Sequence, residues 1–312
     1  MKINSIVLVF AIVILGFSCR NDDDDDGLIV VPPQTLAETL VVDEADITAF
    51  METHFYNYED FDNNPDDFDL DILIDTIAGD NSDKTPLIDM VKSGTILVSS
   101  DQFDLDVEEV DIPHTYYYLI AREGEGRQPT LVDSVFVKFN GSLLDGTVFE
   151  SASSEQFSWQ YLPFLIQGFA ELTTELKTGD EIVTNDDGTF SIQGAGVGMV
   201  ILPSGLGFFN TTLTNAQEAY TPVIFKIELG VSVEDTDWDN DGIPGILEDV
   251  DGNGDPTDDD TDGNGFPNHI DTDDDGDGIP TLDEISDDNG NIILPYPDTD
   301  GDGTPDYLDS DS

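Results

Sequence analysis

Basic residues are nearly missing from this chain. Of 312 residues only 9 are Lys or Arg, against 69 Asp or Glu, for a formal net charge of -60. So few cations cannot build the basic face that nucleic-acid binding needs, and adsorption to anionic membrane surfaces is disfavoured for the same reason. Cysteine is scarcer still. Cys19 is the single one, which excludes an internal disulfide. The one long apolar run, residues 6–17, is too short to span a bilayer comfortably. What is present is 38% hydrophobic residues, enough for a real core, and a large excess of acid. Such acid either solvates disordered chain or waits for cations, and its arrangement decides which.

The N-terminus is addressed before any fold. Lys2, the apolar run and then Ser18 and Cys19 have the form of a signal peptide. Gly16-Phe17-Ser18-Cys19 resembles a bacterial lipobox, with Leu15 one place earlier than usual. The reading is a signal peptide over 1–18, a lipid-modified Cys19 as the mature N-terminus, and a solvated acidic tether over 19–27 that contains Asp22 to Asp26. The tether resembles the acidic tract of Gram-negative lipoproteins sent to the outer face of the outer membrane. The expected location is therefore an outer-membrane lipoprotein exposed at the cell surface, with lipid as its only membrane contact.

Residues 28–112 form a mixed extension without a chemical motif. Helical stretches lie within 34–58, with Asp43 or Asp46 as a cap for 47–55, and 68–72 alternates apolar and acidic like a half-buried strand. His54 sits among aromatics and reads as packing. From residue 116 the pattern changes. Strands are expected over 116–121, 133–139, 147–150, 199–202 and 222–229, with a hairpin over 140–146 that turns on Asp145-Gly146. A helix over 164–176 opens at Pro163. Residues 113–233 thus read as an α+β domain: an antiparallel sheet wrapped on a short helix.

Four ordered segments carry a specific resemblance. Val135-Phe136-Val137-Lys138-Phe139-Asn140-Gly141-Ser142-Leu143-Leu144-Asp145-Gly146-Thr147-Val148-Phe149-Glu150-Ser151 is similar to the opening hairpin of FKBP-type peptidyl-prolyl isomerases. Leu165-Ile166-Gln167-Gly168-Phe169 resembles the pocket-floor helix, Leu202-Pro203-Ser204-Gly205-Leu206-Gly207-Phe208 the active-site loop, and Thr221-Pro222-Val223-Ile224-Phe225-Lys226-Ile227-Glu228-Leu229 the final strand. The resemblance implies an FKBP-like fold that acts on proline-containing polypeptides without a catalytic cofactor. It implies a cup of Phe139, Phe149, Phe157, Phe169, Phe208 and Phe225 with Leu165 and Ile166 beside it, and a backbone donor at Ile166. Phe139 and Phe208 stand where the family usually has tyrosine, and Glu150 stands for its aspartate. An insertion over 180–198, with 185–189 as a hairpin tip, precedes the active-site loop.

Rotation about an X-Pro bond needs no acid, base or metal. Its barrier is amide resonance, ~18–20 kcal/mol for an ordinary peptide bond. A dry aromatic cup favours the twisted, less polar amide over the planar one, and that difference is the catalysis.

After Val233 there is no Lys or Arg, and 28 acids follow in a fixed order. Asp237, Asp239, Asp241, Gly242 and Glu248 have the EF-hand loop spacing of oxygens at 1, 3 and 5, glycine at 6 and an acid at 12. The register recurs in Asp249, Asp251, Asn253, Gly254 and Asp260; in Asp260, Asp262, Asn264, Gly265 and Asp271, with Asp260 shared; in Asp273, Asp275, Asp277, Gly278 and Glu284; and in Asp298, Asp300, Asp302, Gly303 and Asp309, with Asp306 as an extra candidate. Residues 287–291 are a poorer relative. No long helices flank the loops. The segment 234–312 resembles thrombospondin type-3 repeats, which wrap calcium along a chain of little regular secondary structure. Calcium is the expected structural ion. Three functions remain open at this stage: a surface prolyl isomerase, a peptide-binding cup with little turnover, and a calcium-dependent structural or adhesive lipoprotein.

Overall fold

The computed structural model describes residues 34–65, 68–150, 156–185, 188–211 and 219–312, with the Glu150 side chain left out. The expected signal peptide, Cys19 and the expected acidic tether lie outside the described residues. In chain order the regular elements are α1 (Leu36–Thr53), β1 (His54–Tyr56), α2 (Tyr58–Asn63), β2 (Ile74–Thr76), β3 (Lys92–Val98), β4 (Ile112–Arg122), β5 (Ser134–Leu143), β6 (Val148–Glu150), β7 (Ser158–Tyr161), α3 (Gln167–Glu175), β8 (Glu181–Thr184), β9 (Phe190–Gln193), β10 (Gly196–Leu202), β11 (Val223–Ser232) and α4 (Thr281–Glu284). The main sheet runs β3-β4-β10-β11-β5, and β5 pairs with both β6 and β7. Every pairing is antiparallel. This is the expected α+β class.

Strand alternation gives the sheet two apolar faces. On one, Val137, Val200, Leu202, Phe225, Ile227 and Leu229 pack with Phe169, Ala170 and Leu172 of α3. On the other, Leu119, Val197, Met199, Ile201 and Ile224 pack with Ile47, Phe50 and Met51 of α1 and with Leu87. The stretch before residue 113 is therefore built into the same body: α1 covers the second face and β3 extends the sheet. Residues Gln34–Ser312 form one compact unit. Gly168 lets α3 approach β10, since a Cβ there would lie 2.2 Å from Leu202 Cδ2.

Local details differ from the sequence reading. Thr35 caps α1, accepting from the Glu38 N–H at 3.2 Å. Asp43 is instead a buried interior residue of that helix. Residues 68–72 form no strand; Leu70 takes φ +63°, and the pairing strand is the shorter β2. The expected helix over 164–176 divides into a 3₁₀ turn, Leu162–Phe164, and α3. Between them Leu165 and Ile166 are extended, with ψ of 166° and 135°. The insertion is the expected hairpin, β8 paired with β9 and Asn185 N–H donating to Thr189 O. His54 stacks on Phe50 with ring centroids 4.2 Å apart, as packing requires.

The C-terminal array has little regular structure but does have a small core of its own, Ile243, Ile285 and Tyr307. It is docked on the sheet domain. Thr236 Oγ1 accepts from the Ser134 N–H at 2.9 Å, and Trp238 stacks on Tyr161 at the end of β7, with 4.3 Å between centroids and 8° between planes. Among the described residues no helix is long and apolar enough to cross a membrane.

Candidate functional site

Five of the six cup phenylalanines form one edge-to-face cluster. Phe169 contacts Phe139 at 5.4 Å and Phe225 at 5.6 Å, and Phe149 contacts Phe225 at 5.8 Å and Phe208 at 5.7 Å. Their planes are inclined by 79° to 90°, the arrangement that aromatic quadrupoles favour. Register explains the meeting. Phe225 of β11 lies opposite Gly141, and the missing side chain there leaves room for the Phe149 ring. Phe149, Phe169 and Phe225 are buried, while Phe139, Phe208, Leu165 and Ile166 are half-buried at the rim. The extended backbone before α3 leaves the helix start without a side-chain cap. Among the described residues no acceptor takes the Ile166 N–H. That free donor beside an aromatic rim can bind a carbonyl oxygen.

Phe157 does not join this cluster. It stacks on Phe136 at 5.3 Å and lies 5.9 Å from the Lys138 ammonium. Phe136 and Lys138 alternate with Val137 and Phe139 along β5, so Phe157 sits on the opposite side of the sheet. The Glu150 side chain lies outside the described residues. A groove of about 470 Å³ also lies on the opposite side, lined by Asp69, Asp71, Lys138, Asn140, Lys226 and Glu228 among others. Apolar side chains, Leu70, Ile72, Leu73 and Val197 among them, alternate with these charges along it.

The loop that carries Phe208 is fixed from α1. Asp43 Oδ2 accepts from both the N–H and the hydroxyl of Ser204, each at 2.7 Å. Burial pushes the Asp43 carboxyl up to about 6, against the lowering effect of these two bonds. His114 packs on the adjoining Gly205 and is itself buried, which lowers its pKa.

The five acidic loops repeat one hydrogen-bond pattern. In each, the glycine at position 6 donates to Oδ2 of the aspartate at position 1: Gly242 to Asp237, Gly254 to Asp249, Gly265 to Asp260, Gly278 to Asp273 and Gly303 to Asp298, at 2.9–3.2 Å. The position-3 aspartates accept from the N–H at position 5, and position 5 accepts from position 7. In the first and fourth loops one oxygen of each of these aspartates thus shapes the turn and leaves the other for the interior. The position-6 glycines share φ of +95° to +107°. Position 4 is also left-handed, held by Asn240, Gly252, Gly263, Gly276 and Gly301. That second regularity stands in the sequence as a glycine or asparagine before the third oxygen-bearing residue of each loop.

Carboxylate oxygens converge within 4.8 Å in the triads Asp237-Asp239-Asp241, Asp249-Asp251-Asp259, Asp273-Asp275-Asp277 and Asp298-Asp300-Asp302. Asp259, not Asp260, completes the second; both Asp260 oxygens accept N–H groups of its own loop, from Gly263, Asn264 and Gly265. In the third loop Asp271 accepts the Asn264 amide at 2.6 Å. Glu284 joins the fourth loop with a buried, unpartnered Oε2. Asp309 is close enough to raise the Asp275 pKa. Asp306 spends both oxygens on Thr299, and Asp287 is saturated by Asn289 and Asn291, which holds it down at about 2.

Oxygen-only donor sets suit a hard cation such as calcium. The test of fit is the set of buried oxygens left without a hydrogen-bond partner. They include Asp237 Oδ1, Asp239 Oδ2, Asp241 Oδ2, Glu248 Oε1, Asp249 Oδ1, Asp273 Oδ1 and Asp275 Oδ2. Burial, then neighbouring carboxylates, pushes Asp241 up to about 7 and Glu248 up to about 10. Buried oxygens that face one another without donors are what a cation would satisfy.

Comparison with known proteins relates part of the chain to FKBP-type isomerases. It is similar to the probable FKBP-type peptidyl-prolyl cis-trans isomerase FkpA of Neisseria meningitidis serogroup B, 34% identical over 97 residues, which are 31% of this chain and 36% of that protein. It is also similar to the peptidyl-prolyl cis-trans isomerase Mip of Coxiella burnetii, 38% identical over 63 residues, 20% of this chain and 27% of the other. The chain thus spans well under half the length of these curated relatives. Among solved structures, a peptidyl-prolyl isomerase of Pseudomonas syringae matches at 21% identity over 38% of this chain and 76% of that one, with a TM-score of 0.31. FkpA of Escherichia coli matches at 20% identity over 38% and 47%, with a TM-score of 0.30. A family model described as BamM C-terminal matches residues 238–297, within the acidic array.

Proposed function

We propose that this protein is an exported FKBP-type prolyl isomerase, held at the outer surface of the outer membrane by lipid on Cys19, with calcium as the structural ion of its C-terminal loops. One observation carries the isomerase reading: the Phe139, Phe149, Phe169, Phe208 and Phe225 cluster lies beside the free Ile166 N–H. A proline ring would rest on the half-buried rim, the Ile166 N–H would hold a substrate carbonyl, and the apolar wall would favour the twisted amide. The chain's own residues supply binding, orientation and dryness; no proton needs to move. When bound, calcium would neutralise the loop carboxylates and replace a missing apolar core. Asp237, Asp239, Asp241, Glu248, Asp249, Asp251, Asp259, Asp273, Asp275, Asp277, Glu284, Asp298, Asp300 and Asp302 are the carboxylates that would hold it.

The test is a protease-coupled assay of X-Pro isomerisation with the full mature chain, calcium present. Acceleration above the uncatalysed rate supports the reading. A second reading, a peptide-binding cup with little turnover, is favoured by Phe139 and Phe208, which lack a tyrosine hydroxyl. Peptide binding without acceleration would select it, and neither binding nor acceleration would leave the domain as a structural carrier of the array.

A further inference from the structure

Asp274 occupies the second position of its loop, where the repeat register assigns no ligand. Its side chain nonetheless converges with those of Asp241 and Glu248 from the first loop. One oxygen from each lies within 4.8 Å of the others. All three residues are 1% exposed. Asp241 Oδ2, Glu248 Oε1 and both oxygens of Asp274 are buried without a hydrogen-bond partner. Three buried carboxylates gathered so closely must either take up protons or hold a positive charge among them, and a cation supplies the second.

We propose that Asp241, Glu248 and Asp274 hold a calcium ion that clamps the first loop to the fourth, and that this ion keeps Trp238 stacked on Tyr161. The inference rests on the calcium reading of the loops and adds a site that joins two of them. Asp241 also belongs to the Asp237-Asp239-Asp241 triad, so it serves as the common ligand of adjoining positions. Trp238 lies between Asp237 and Asp239 in the chain. Its partner Tyr161 is itself held, with its hydroxyl 2.8 Å from His269 Nδ1. Tyr161 ends β7 and directly precedes the 3₁₀ turn that leads to Ile166. An ion at the clamp therefore fixes the array against the segment that presents the carbonyl-binding donor.

The experiment uses the full mature chain in a Trp159→Phe background, so that Trp238 is the only indole. The protein is stripped with chelator and titrated with calcium while Trp238 fluorescence and bound ions are measured. Asp274→Asn and Glu248→Gln should each move the Trp238 transition at least tenfold higher in calcium and remove one ion. Asp300→Asn, in the last loop, should lower ion binding without moving that transition. Terbium should luminesce through Trp238 in the parent and lose most of that signal in Asp274→Asn, a readout that circular dichroism can match to an intact fold. A wild-type midpoint, ion count and terbium signal in Asp274→Asn overturn this inference alone. No ion bound by the parent at millimolar calcium overturns it together with the calcium reading of every loop.

Discussion

Asp43 of α1 and Ser204 of the loop after β10 are joined by two hydrogen bonds of 2.7 Å, one from the Ser204 N–H and one from its hydroxyl. The contact ties the N-terminal helix to the loop that bears Phe208. Ser204→Ala should cost about 1.5–3 kcal/mol at neutral pH, the range for a hydrogen bond to a charged group. Urea denaturation would measure it, and an unchanged midpoint would show that the contact adds nothing.

The same contact predicts a pH dependence. Burial raises the Asp43 carboxyl to about 6 in the folded protein, and Asp46 and Glu44 on its own helix add to the rise. Ser204 faces it from the loop after β10. A carboxyl whose folded pKa lies above its unfolded value favours folding fully below the unfolded value of about 3.9. That contribution is lost as pH rises through about 6. Asp43→Asn should therefore gain stability relative to wild type as pH is raised from about 4 to about 7. A difference between the two that stays constant over this window would contradict the buried, titrating Asp43.

The second apolar face makes the N-terminal extension part of the folding unit. Ile47 is 0% exposed and Met51 is 1% exposed. Truncating either to Ala should cost about 2–5 kcal/mol. Thermal unfolding followed at the aromatic residues should still show one transition, moved lower. Loss of an early phase alone would mean that α1 unfolds independently of the sheet.

Much of the site was legible because its signals are local. The Asp145-Gly146 turn, the strand runs and the acid-glycine loop register depend on neighbours within a dozen residues. Pairings across the chain were not legible. Nothing near Asp43 announces Ser204, so its acid read as a helix cap. The apolar residues at 47, 50 and 51 give a face but not what it covers. Phe157 matched by spacing, yet strand parity sends its partner Phe136 to the other side. Asp259 and Asp274 stand among so many acids that only folding distinguishes them from Asp260 and Asp273. The break before α3 is similar: helical residues surround Leu165 and Ile166, but tertiary packing sets their extended backbone.

Phe208 and Phe157 separate the cluster from its surroundings. Phe208→Ala removes a half-buried rim ring that contacts Phe149 at 5.7 Å. It should lower isomerase activity several-fold with modest loss of stability, because partial exposure limits the burial lost. Phe157→Ala, beside Phe136 on the other side of the sheet, should leave activity at the wild-type level. Activity that follows Phe157 and ignores Phe208 would place the reactive surface elsewhere.

The glycines of the array offer a test in which no neighbour is disturbed. Gly278 has φ of +96°, and a Cβ there would meet nothing within 4 Å. Its N–H donates to Asp273 Oδ2 at 3.1 Å. Any penalty for Gly278→Ala is therefore backbone strain, because φ near +96° lies beyond the left-handed well that other residues can enter. Gly301, at position 4 of the last loop, has φ of +79° and is equally open. Asn240 holds the corresponding position of the first loop at φ +65°, so the amide residue is tolerated there. Gly278→Ala should cost at least about 1 kcal/mol. It should weaken the Asp273 loop for calcium by about fivefold or more, since 1.4 kcal/mol is tenfold. Gly301→Asn should bind and melt close to wild type. Calorimetric titration of the full chain with calcium, paired with thermal melts, distinguishes the two. Equal losses in both variants would mean that the position-6 conformation is not what organises the carboxylates around the ion.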